Sequence, residues 1–514
     1  MIIKYLLLFL FVAVLVYSGY SGMKKSRSVN DFFLGGRDIG PWLSAFAYGT
    51  TYFSAVIFIG YAGKVGWGFG MSTLWIVVGN TLLGSLLAWA VLARRTRAMT
   101  NRLNAMTMPE FLEARYLSKS MKIFSALVIF IFLVPYSASV FMGLSYMFNQ
   151  IFGIPYIYAA LLMCLLTALY LVMGGYRAVA ITDVIQGTVM VFGVGLLLYF
   201  IVGSPQVGGV AAGIQKLAAI SPKLVAPVPS GWVPLVSLLS LVVLTSLGPW
   251  GLPQMIQKFY AIKDEKAIRP AMIVATLFAL VITIGAYYTG SLTHLFFDKL
   301  PLDPSTGKPT PDMLMPILID SRLPEIGAAI ILLLVLSASM STLASLVLVS
   351  SSAIAIDLLK TLKPDLEGRQ WTMALRLFCL VFIALSLVIA LMKPEIILNL
   401  MSISWGTVAG VFLAPYIYGL FWKKTTPASA WAGAVTGLTI SLVLSAYFIY
   451  VRQDASWIPT IGCLAMLVPL AVVPVVSFFT RPLPERHLDK VFGGAAAGRD
   501  KKSSISLKVG EERA

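Results

Sequence analysis

The sequence predicts an all-α protein that crosses a membrane many times, and three observations predict it. Of its 514 residues, 58% are hydrophobic and 12% charged, against roughly 25% charged in a soluble protein. Mean hydropathy is +0.87. Apolar segments of about 20 residues, the length a helix needs to cross the hydrocarbon layer, recur along the whole chain. The composition excludes a soluble enzyme, a disordered chain and a fibrous protein. Three cysteines (Cys164, Cys379, Cys463) lie in apolar runs, and two histidines (His294, His487) stand far apart. They offer no disulfide framework, no metal-ligand spacing and no His-based catalytic triad.

Thirteen spans are expected, at about 2–22, 41–63, 73–93, 121–150, 155–174, 180–203, 233–258, 270–296, 326–358, 371–391, 394–421, 428–450 and 457–479. The first lacks a small-residue cleavage site and exceeds the apolar core of a signal peptide, so it reads as an uncleaved helix. An odd number of spans puts the termini on opposite sides. With the N-terminus outside, 30 of the 39 Lys and Arg fall in inside segments. Cytoplasmic loops collect positive charge, which gives N-out and C-in. The net charge of +17 is thereby explained without a nucleic-acid partner. The longest exposed pieces, 204–232 and 297–325, are too short for a separate soluble domain. The tail, 480–514, is small, polar and charged and is expected to be disordered.

Two spans carry helix-weakening runs. The second contains Gly49-Thr50-Thr51-Tyr52-Phe53-Ser54, and the seventh Gly248-Pro249-Trp250-Gly251-Leu252-Pro253. Proline removes an amide donor and clashes with the preceding turn. Broken backbone at membrane depth is tolerated only where it lines a cavity or is buried in protein. Either run alone reads equally as an ordinary kink. Together, five spans apart, they fit two five-span halves of opposite orientation, the pattern of transporters built on inverted repeats.

The ninth span carries Ala338, Ser341, Thr342 and Ser345 at the i, i+3, i+4, i+7 spacing of one helix face. Small residues there permit close helix packing; the hydroxyls equally offer oxygen ligands to a hard cation such as Na⁺. Asp183 stands at the cytoplasmic start of the sixth span. It reads either as an acid favoured by the helix dipole or as a cation waypoint, since acids at membrane depth are costly and tend to be functional.

Several stretches, taken in order, carry a family resemblance. They are Phe33-Leu34-Gly35-Gly36-Arg37; Met108-Pro109-Glu110-Phe111-Leu112 with Arg115; and Gly174-Gly175-Tyr176-Arg177-Ala178 followed by Thr182-Asp183 and Gln186. The last is Trp422-Lys423-Lys424 with Ala430, Ala432-Gly433-Ala434 and Gly437. From about Asp31 to Leu483 the chain resembles the sodium:solute symporter family, which includes sodium/proline, sodium/pantothenate, sodium/sialic acid and sodium/glucose cotransporters.

The resemblance implies a LeuT-type core of five plus five inverted helices. The first repeat would span 41–203 and the second 233–421, after an extra helix at 1–22 and before two accessory helices within 428–479. It implies a Na⁺ site formed by the carbonyls of Thr50, Phe53 and Ala338 and the hydroxyls of Ser341 and Thr342. Asp183 matches an aspartate on the family's sodium exit path, where some members hold a second Na⁺; Ser345 matches one ligand there, and Ala344 replaces another. Expected solute contacts are Ser54, Ala55, Val56, Tyr136, Thr245, Pro249, Trp250 and Gly251. Proline transporters differ at Tyr52, Val56 and Gln254; the run Thr51–Ala55 looks closer to pantothenate and monocarboxylate carriers. No Arg or Lys is evident near the pocket. A carboxylate would then be held by hydroxyls and by amides at half-helix ends.

The expected function is sodium-coupled import of a small organic solute, a carboxylate or amino acid, by alternating access across a bacterial or archaeal inner membrane. Na⁺ is the coupling ion, and no organic cofactor, catalytic residue or obligate protein partner is implied beyond the solute and the lipid bilayer. A proton-coupled carrier of the same fold and a non-transporting sensor remain alternatives. A channel fits poorly, because one polar cluster lies at mid-depth between apolar helix ends. A membrane-embedded enzyme lacks a nucleophile–base pair.

Overall fold

The computed structural model describes residues 2–23, 33–303, 306–359, 361 and 368–493. Among them the protein is helical, with only two isolated β-bridges. Ten helices are long and apolar enough to cross a membrane, and shorter apolar helices lie at Lys4–Val14, Tyr156–Ala168 and Val210–Ile220. The elements that frame the centre are α1 (Ile2–Met23), α2 (Pro41–Tyr52), α3 (Ala62–Phe69), α4 (Leu74–Thr81), α5 (Arg94–Leu103), α6 (Met108–Tyr116) and α7 (Lys119–Phe152). They are followed by α8 (Tyr156–Val202), α9 (Val210–Ile220), α10 (Trp232–Gly251), α11 (Pro253–Ala261), α12 (Ile268–Ser291) and α13 (Leu314–Arg322). The chain continues through α14 (Glu325–Ser352), α15 (Gly368–Met392), α16 (Ile397–Phe421), α17 (Pro427–Thr439), α18 (Ile458–Phe479) and α19 (Glu485–Phe492).

Both expected breaks are present, the first at Phe53 and Ser54 and the second at Leu252. α2 stops at Tyr52, and Phe53 is extended (φ −111°, ψ 105°) before helix resumes. Ser54 starts the second half: its Oγ accepts the Val56 amide at 3.2 Å, and its carbonyl accepts the Ile57 amide at 3.2 Å. In the other repeat, Pro249 stays inside α10, and the break falls at Leu252 (φ −82°, ψ 121°). A residue before proline is pushed out of the helical region, and Pro253 follows Leu252. The two broken helices meet at one end, where the Ile39 amide donates to Ala261 O (3.2 Å) and the Lys263 amide to Ile39 O (3.0 Å).

Two readings change. The expected spans 155–174 and 180–203 form one helix of 47 residues, about 70 Å long at the helical rise. Its Gly174-Gly175 pair interrupts nothing: glycine weakens a helix by only about 1 kcal/mol, and no proline intervenes. The tail is also not uniformly unstructured. Residues 485–492 form α19, which buries Leu488 and Val491. Arg102 donates to Val491 O at 3.0 Å, and the Arg115 guanidinium stacks 5.2 Å from the Phe492 ring. Residues 494–514 lie outside the described residues.

Small residues set the helix spacing, because lipid supplies no hydrophobic drive between helices. A Cβ added at Gly66 would lie 2.1 Å from the Gly290 carbonyl carbon, and one at Gly290 would lie 2.1 Å from Ala62 O. The α3–α12 crossing is therefore backbone on backbone. We expect Gly66→Ala to lower the thermal midpoint of the purified protein by several degrees, since overpacking costs typically 1–3 kcal/mol. Gly68→Ala, with nothing within 4 Å, should leave it unchanged. Equal midpoints for the two variants would show that the crossing is not tight.

The loop before α13 docks through acids. Asp303 accepts from Lys393 (2.9 Å) and from the Tyr146 hydroxyl (2.8 Å). Asp312 caps α16 by accepting the Ile397 amide at 3.0 Å, and its second oxygen is buried without a partner. Burial pushes the Asp312 carboxyl up to about 7, against the Ile397 hydrogen bond and the Lys64 charge. The folded state thus holds a proton that the unfolded chain releases from about pH 3.8 upward. The Asp312 contribution to stability is full below that pH and is lost as pH rises towards 7. The difference in thermal midpoint between the protein and Asp312→Asn should therefore change across that window and level off above it. A difference independent of pH would refute the assignment.

Candidate functional site

The first break leaves the last carbonyls of α2 beyond the reach of the helical ladder. The Thr342 hydroxyl, from α14, lies 3.2 Å from Thr50 O and 3.4 Å from Thr51 O. Ser341, on the same helix face, puts its Oγ 2.7 Å from Thr50 Oγ1 and 2.5 Å from Asp183 Oδ1. The Thr50 hydroxyl itself donates to Phe46 O at 2.8 Å. One hydroxyl proton cannot serve both Ser341 contacts, so the cluster holds more oxygen lone pairs than protons. Hard cations select such a donor set. Thr50, Phe53, Ala338, Ser341 and Thr342 are all buried, and Ala338 sits one turn before Ser341 on α14. Of the five residues expected to hold Na⁺, Thr50, Ser341 and Thr342 are thus brought together, with Phe53 at the break and Ala338 one turn along α14, and this oxygen chemistry fits the ion.

Asp183, from α8, joins this cluster directly. It is fully buried, and its Oδ2 has no partner. Gln186, one turn further along α8, is also buried with both amide atoms unpartnered. Ser345 continues the α14 face: its Oγ lies 2.9 Å from Thr51 Oγ1 and accepts from Lys258 Nζ at 3.0 Å. By sequence Lys258 counts among the inside charges; in the fold it is 1% exposed on α11.

A small cavity adjoins the break. Ser54, Val56, Tyr136 and Thr245 line it, as expected, together with Tyr52, Phe53, Asn80 and Trp405. Tyr52 stacks near Trp405 (6.2 Å between ring centres) and anchors its hydroxyl on Thr245 O at 2.7 Å. Tyr136 meets Trp405 edge to face at 5.7 Å. The Tyr136 hydroxyl and the Trp405 ring nitrogen are buried donors without partners. Among the described residues no charged side chain lines the cavity.

Four expected solute contacts lie elsewhere. Ala55 faces α7, where a Cβ added at Gly143 would come within 3.1 Å of it. Trp250 turns away and donates to Leu83 O at 2.9 Å. A Cβ added at Gly251 would be 3.0 Å from Leu413 Cα. Pro249 is buried and belongs to α10, one turn before the break. Trp405 supplies the aromatic wall expected of Trp250. The signal for it was an aromatic amid the small and hydroxylated residues of Ser402-Ile403-Ser404-Trp405-Gly406-Thr407. Asn80 was signalled only as an amide in an apolar run.

The remaining singled-out residues are structural. His294 Nε2 pairs with Trp67 O at 2.8 Å, and His487 Nε2 lies 3.2 Å from Arg115 O. The cysteines are unpaired thiols. Arg115 is fully buried and donates to Gly419 O (2.9 Å) and Trp422 O (3.1 Å), closing the end of α16.

The profile of the sodium:solute symporter family matches residues 32–437. The chain is 30% identical over 437 residues to an osmoregulated proline transporter of Bacillus subtilis (strain 168), covering 84% of this chain and 86% of that protein. It is 28% identical over 455 residues to a sodium/pantothenate symporter of Haemophilus influenzae, covering 87% and 91%. A sodium/proline symporter of Staphylococcus aureus (strain bovine RF122 / ET3-1) is also 28% identical, with 86% of each chain covered. Among solved structures, a substrate-bound, outward-open Na⁺-coupled sialic acid symporter superposes with a TM-score of 0.73 at 20% identity, over 93% of this chain and 98% of that one. Its likeness establishes the LeuT-type fold. These relatives are transporters rather than enzymes, and the chain itself is a multi-pass membrane protein that belongs to the sodium:solute symporter family.

Proposed function

We propose that this protein is a sodium-coupled symporter that imports a small organic solute, a carboxylate or an amino acid, across a bacterial inner membrane. The observation that carries this reading is the oxygen cluster of Thr50, Ser341 and Thr342 at the α2 break, one turn from a cavity without charged side chains. Na⁺ would be held by the carbonyls of Thr50, Phe53 and Ala338 and the hydroxyls of Ser341 and Thr342. The solute would occupy the cavity between Ser54, Tyr136, Thr245 and Trp405. Its carboxylate would accept from the Tyr136 hydroxyl and the Trp405 ring nitrogen, both unpartnered. The start of the helix after Ser54 adds the positive end of a helix dipole.

Coupling follows from shared backbone. Phe53 belongs to the proposed ion site through its carbonyl and to the cavity wall through its ring. Ion binding would fix the break against α14 and so preform the cavity, while solute binding would stabilise the same arrangement. Each ligand favours the other by the same factor. An inward-moving charge gains about 2.3 kcal/mol per 100 mV of membrane potential. Asp183 would lie on the ion's way to the cytoplasm.

Uptake into membrane vesicles over a panel of amino acids, monocarboxylates, pantothenate and sugars tests the reading. We expect one class to accumulate only with an inward Na⁺ gradient. Accumulation driven by a pH gradient and indifferent to Na⁺ would refute sodium coupling.

Two sets of variants test the sites. Ser341→Ala or Thr342→Ala should raise the Na⁺ concentration for half-maximal uptake about tenfold, a loss of about 1.4 kcal/mol. Unchanged Na⁺ dependence in both would displace the site. Tyr136→Ala should weaken uptake of the transported solute at saturating Na⁺. Trp250→Phe removes one partly buried hydrogen bond, worth about 1 kcal/mol. It should lower the thermal midpoint while leaving half-saturation by solute within twofold. Weakened solute affinity in Trp250→Phe with a normal midpoint would return Trp250 to the pocket.

A further inference from the structure

The family resemblance implies, for some members, a second Na⁺ beside the aspartate matched by Asp183. The residues present here do not fit one. Ala344 supplies no side-chain oxygen. The Ser345 hydroxyl is occupied on both sides, accepting from Lys258 Nζ at 3.0 Å and pairing with Thr51 Oγ1 at 2.9 Å. A primary ammonium, already a cation, stands where the second ion would need its ligand.

The surroundings of Lys258 are those of a bound cation rather than a snorkelling side chain. It is 1% exposed and lies 5.0 Å above the Tyr176 ring, whose face attracts positive charge. The opposite charge that acts on it is Asp183, itself fully buried. The two are not in direct ion contact. Asp183 reaches the cluster through Ser341, and Lys258 reaches it through Ser345, one turn further along α14. One buried positive and one buried negative charge balance. With that pair neutral, one bound Na⁺ leaves a net charge of +1, and a second would raise it to +2 in a dry interior, where uncompensated buried charge is strongly destabilising.

We propose that the Lys258 ammonium is a built-in cation that takes the place of the second sodium, so that the protein binds and carries a single Na⁺ per cycle. This rests on the sodium-coupled reading above. Lys258 belongs to α11, the second half of the other broken helix, and its bond to Ser345 ties that half to α14. A covalently held cation keeps this tie through the cycle, whereas a transported ion would break it at each release. Lys258 thus acts as a positioning residue between two helices of the second repeat, and it sets ion stoichiometry.

Equilibrium binding of ²²Na⁺ to the purified full chain, without solute, tests the proposal. We expect about one ion per chain and a Hill slope near 1. Lys258→Gln leaves the Asp183 charge unbalanced and should admit a second ion, with a slope rising towards 2. Adding Ala344→Ser to that variant should tighten the second site. Lys258→Arg should keep one ion. The double variant Asp183→Asn with Lys258→Met removes both charges together and should also bind one. Two ions per chain in the unaltered protein would overturn the proposal while leaving sodium coupling intact. So would a Lys258→Gln variant that folds and still binds one ion with unchanged affinity. No ion bound by the unaltered protein would overturn the sodium-coupled reading itself. If Lys258→Gln fails to fold, the ion count of the unaltered protein and the double variant still decide.

Discussion

Everything central in this protein depends on how the backbone is satisfied at Phe53. A helix that stops inside a membrane leaves carbonyls that no water can reach, and each unsatisfied group costs several kcal/mol. Here Thr342 turns its hydroxyl to the carbonyls of Thr50 and Thr51, and Ser54 restarts the helix by taking the Val56 amide. The break therefore survives only because α14 stands beside it with hydroxyls at the right register. The same oxygens that repair the backbone make a place a cation can occupy, and the same interruption opens the wall of a cavity. Repair, the proposed ion site and the proposed solute site share a few residues, so occupancy of one would be felt by the others.

The rest of the architecture holds that register. Contacts of backbone on backbone, at Gly66 with Gly290 and at Gly406 with Gly462, leave the helices no freedom to slide. At one end, Arg115 closes α16 and meets the helix formed by residues 485–492. Asp312 caps the start of the same α16. One central helix is thus clamped at both ends by buried polar groups that are costly to unpair. Such clamps suit a carrier whose parts move as rigid bodies about a fixed central site.

Charge is rationed in the centre. The cavity has no ionised side chain, and the neighbouring ion region holds one acid and one base, Asp183 and Lys258, joined through two serines of α14. Because the pair is neutral as a unit, the proposed ion site would gain or lose one cation without passing through a state of high buried charge. Hydroxyls, a ring nitrogen and helix ends do the remaining polar work.

The membrane class, most of the spans and both breaks were legible in the sequence, because each is written locally. Apolar length gives a span, and Pro253 gives the Leu252 break through its effect on the preceding residue. The hydroxyl face of α14 was legible from its 3–4 residue spacing, and the structure brings Ser341 and Thr342 of that face against Thr50. Local chemistry could not say which way a side chain points. Trp250 and Trp405 are both large aromatics in weakened helices, yet one bonds to Leu83 and the other walls the cavity. That choice depends on helix rotation, which packing of Gly248 against Trp405 sets from another part of the chain. The same holds for Lys258, which by sequence is one of several positive charges near the end of a span. Only the meeting of α11 with α14, 87 residues apart along the chain, buries it against Ser345. Sequence determined what chemistry was available, and tertiary structure decided which groups face each other, because partners distant along the chain fix the rotation and depth of each helix.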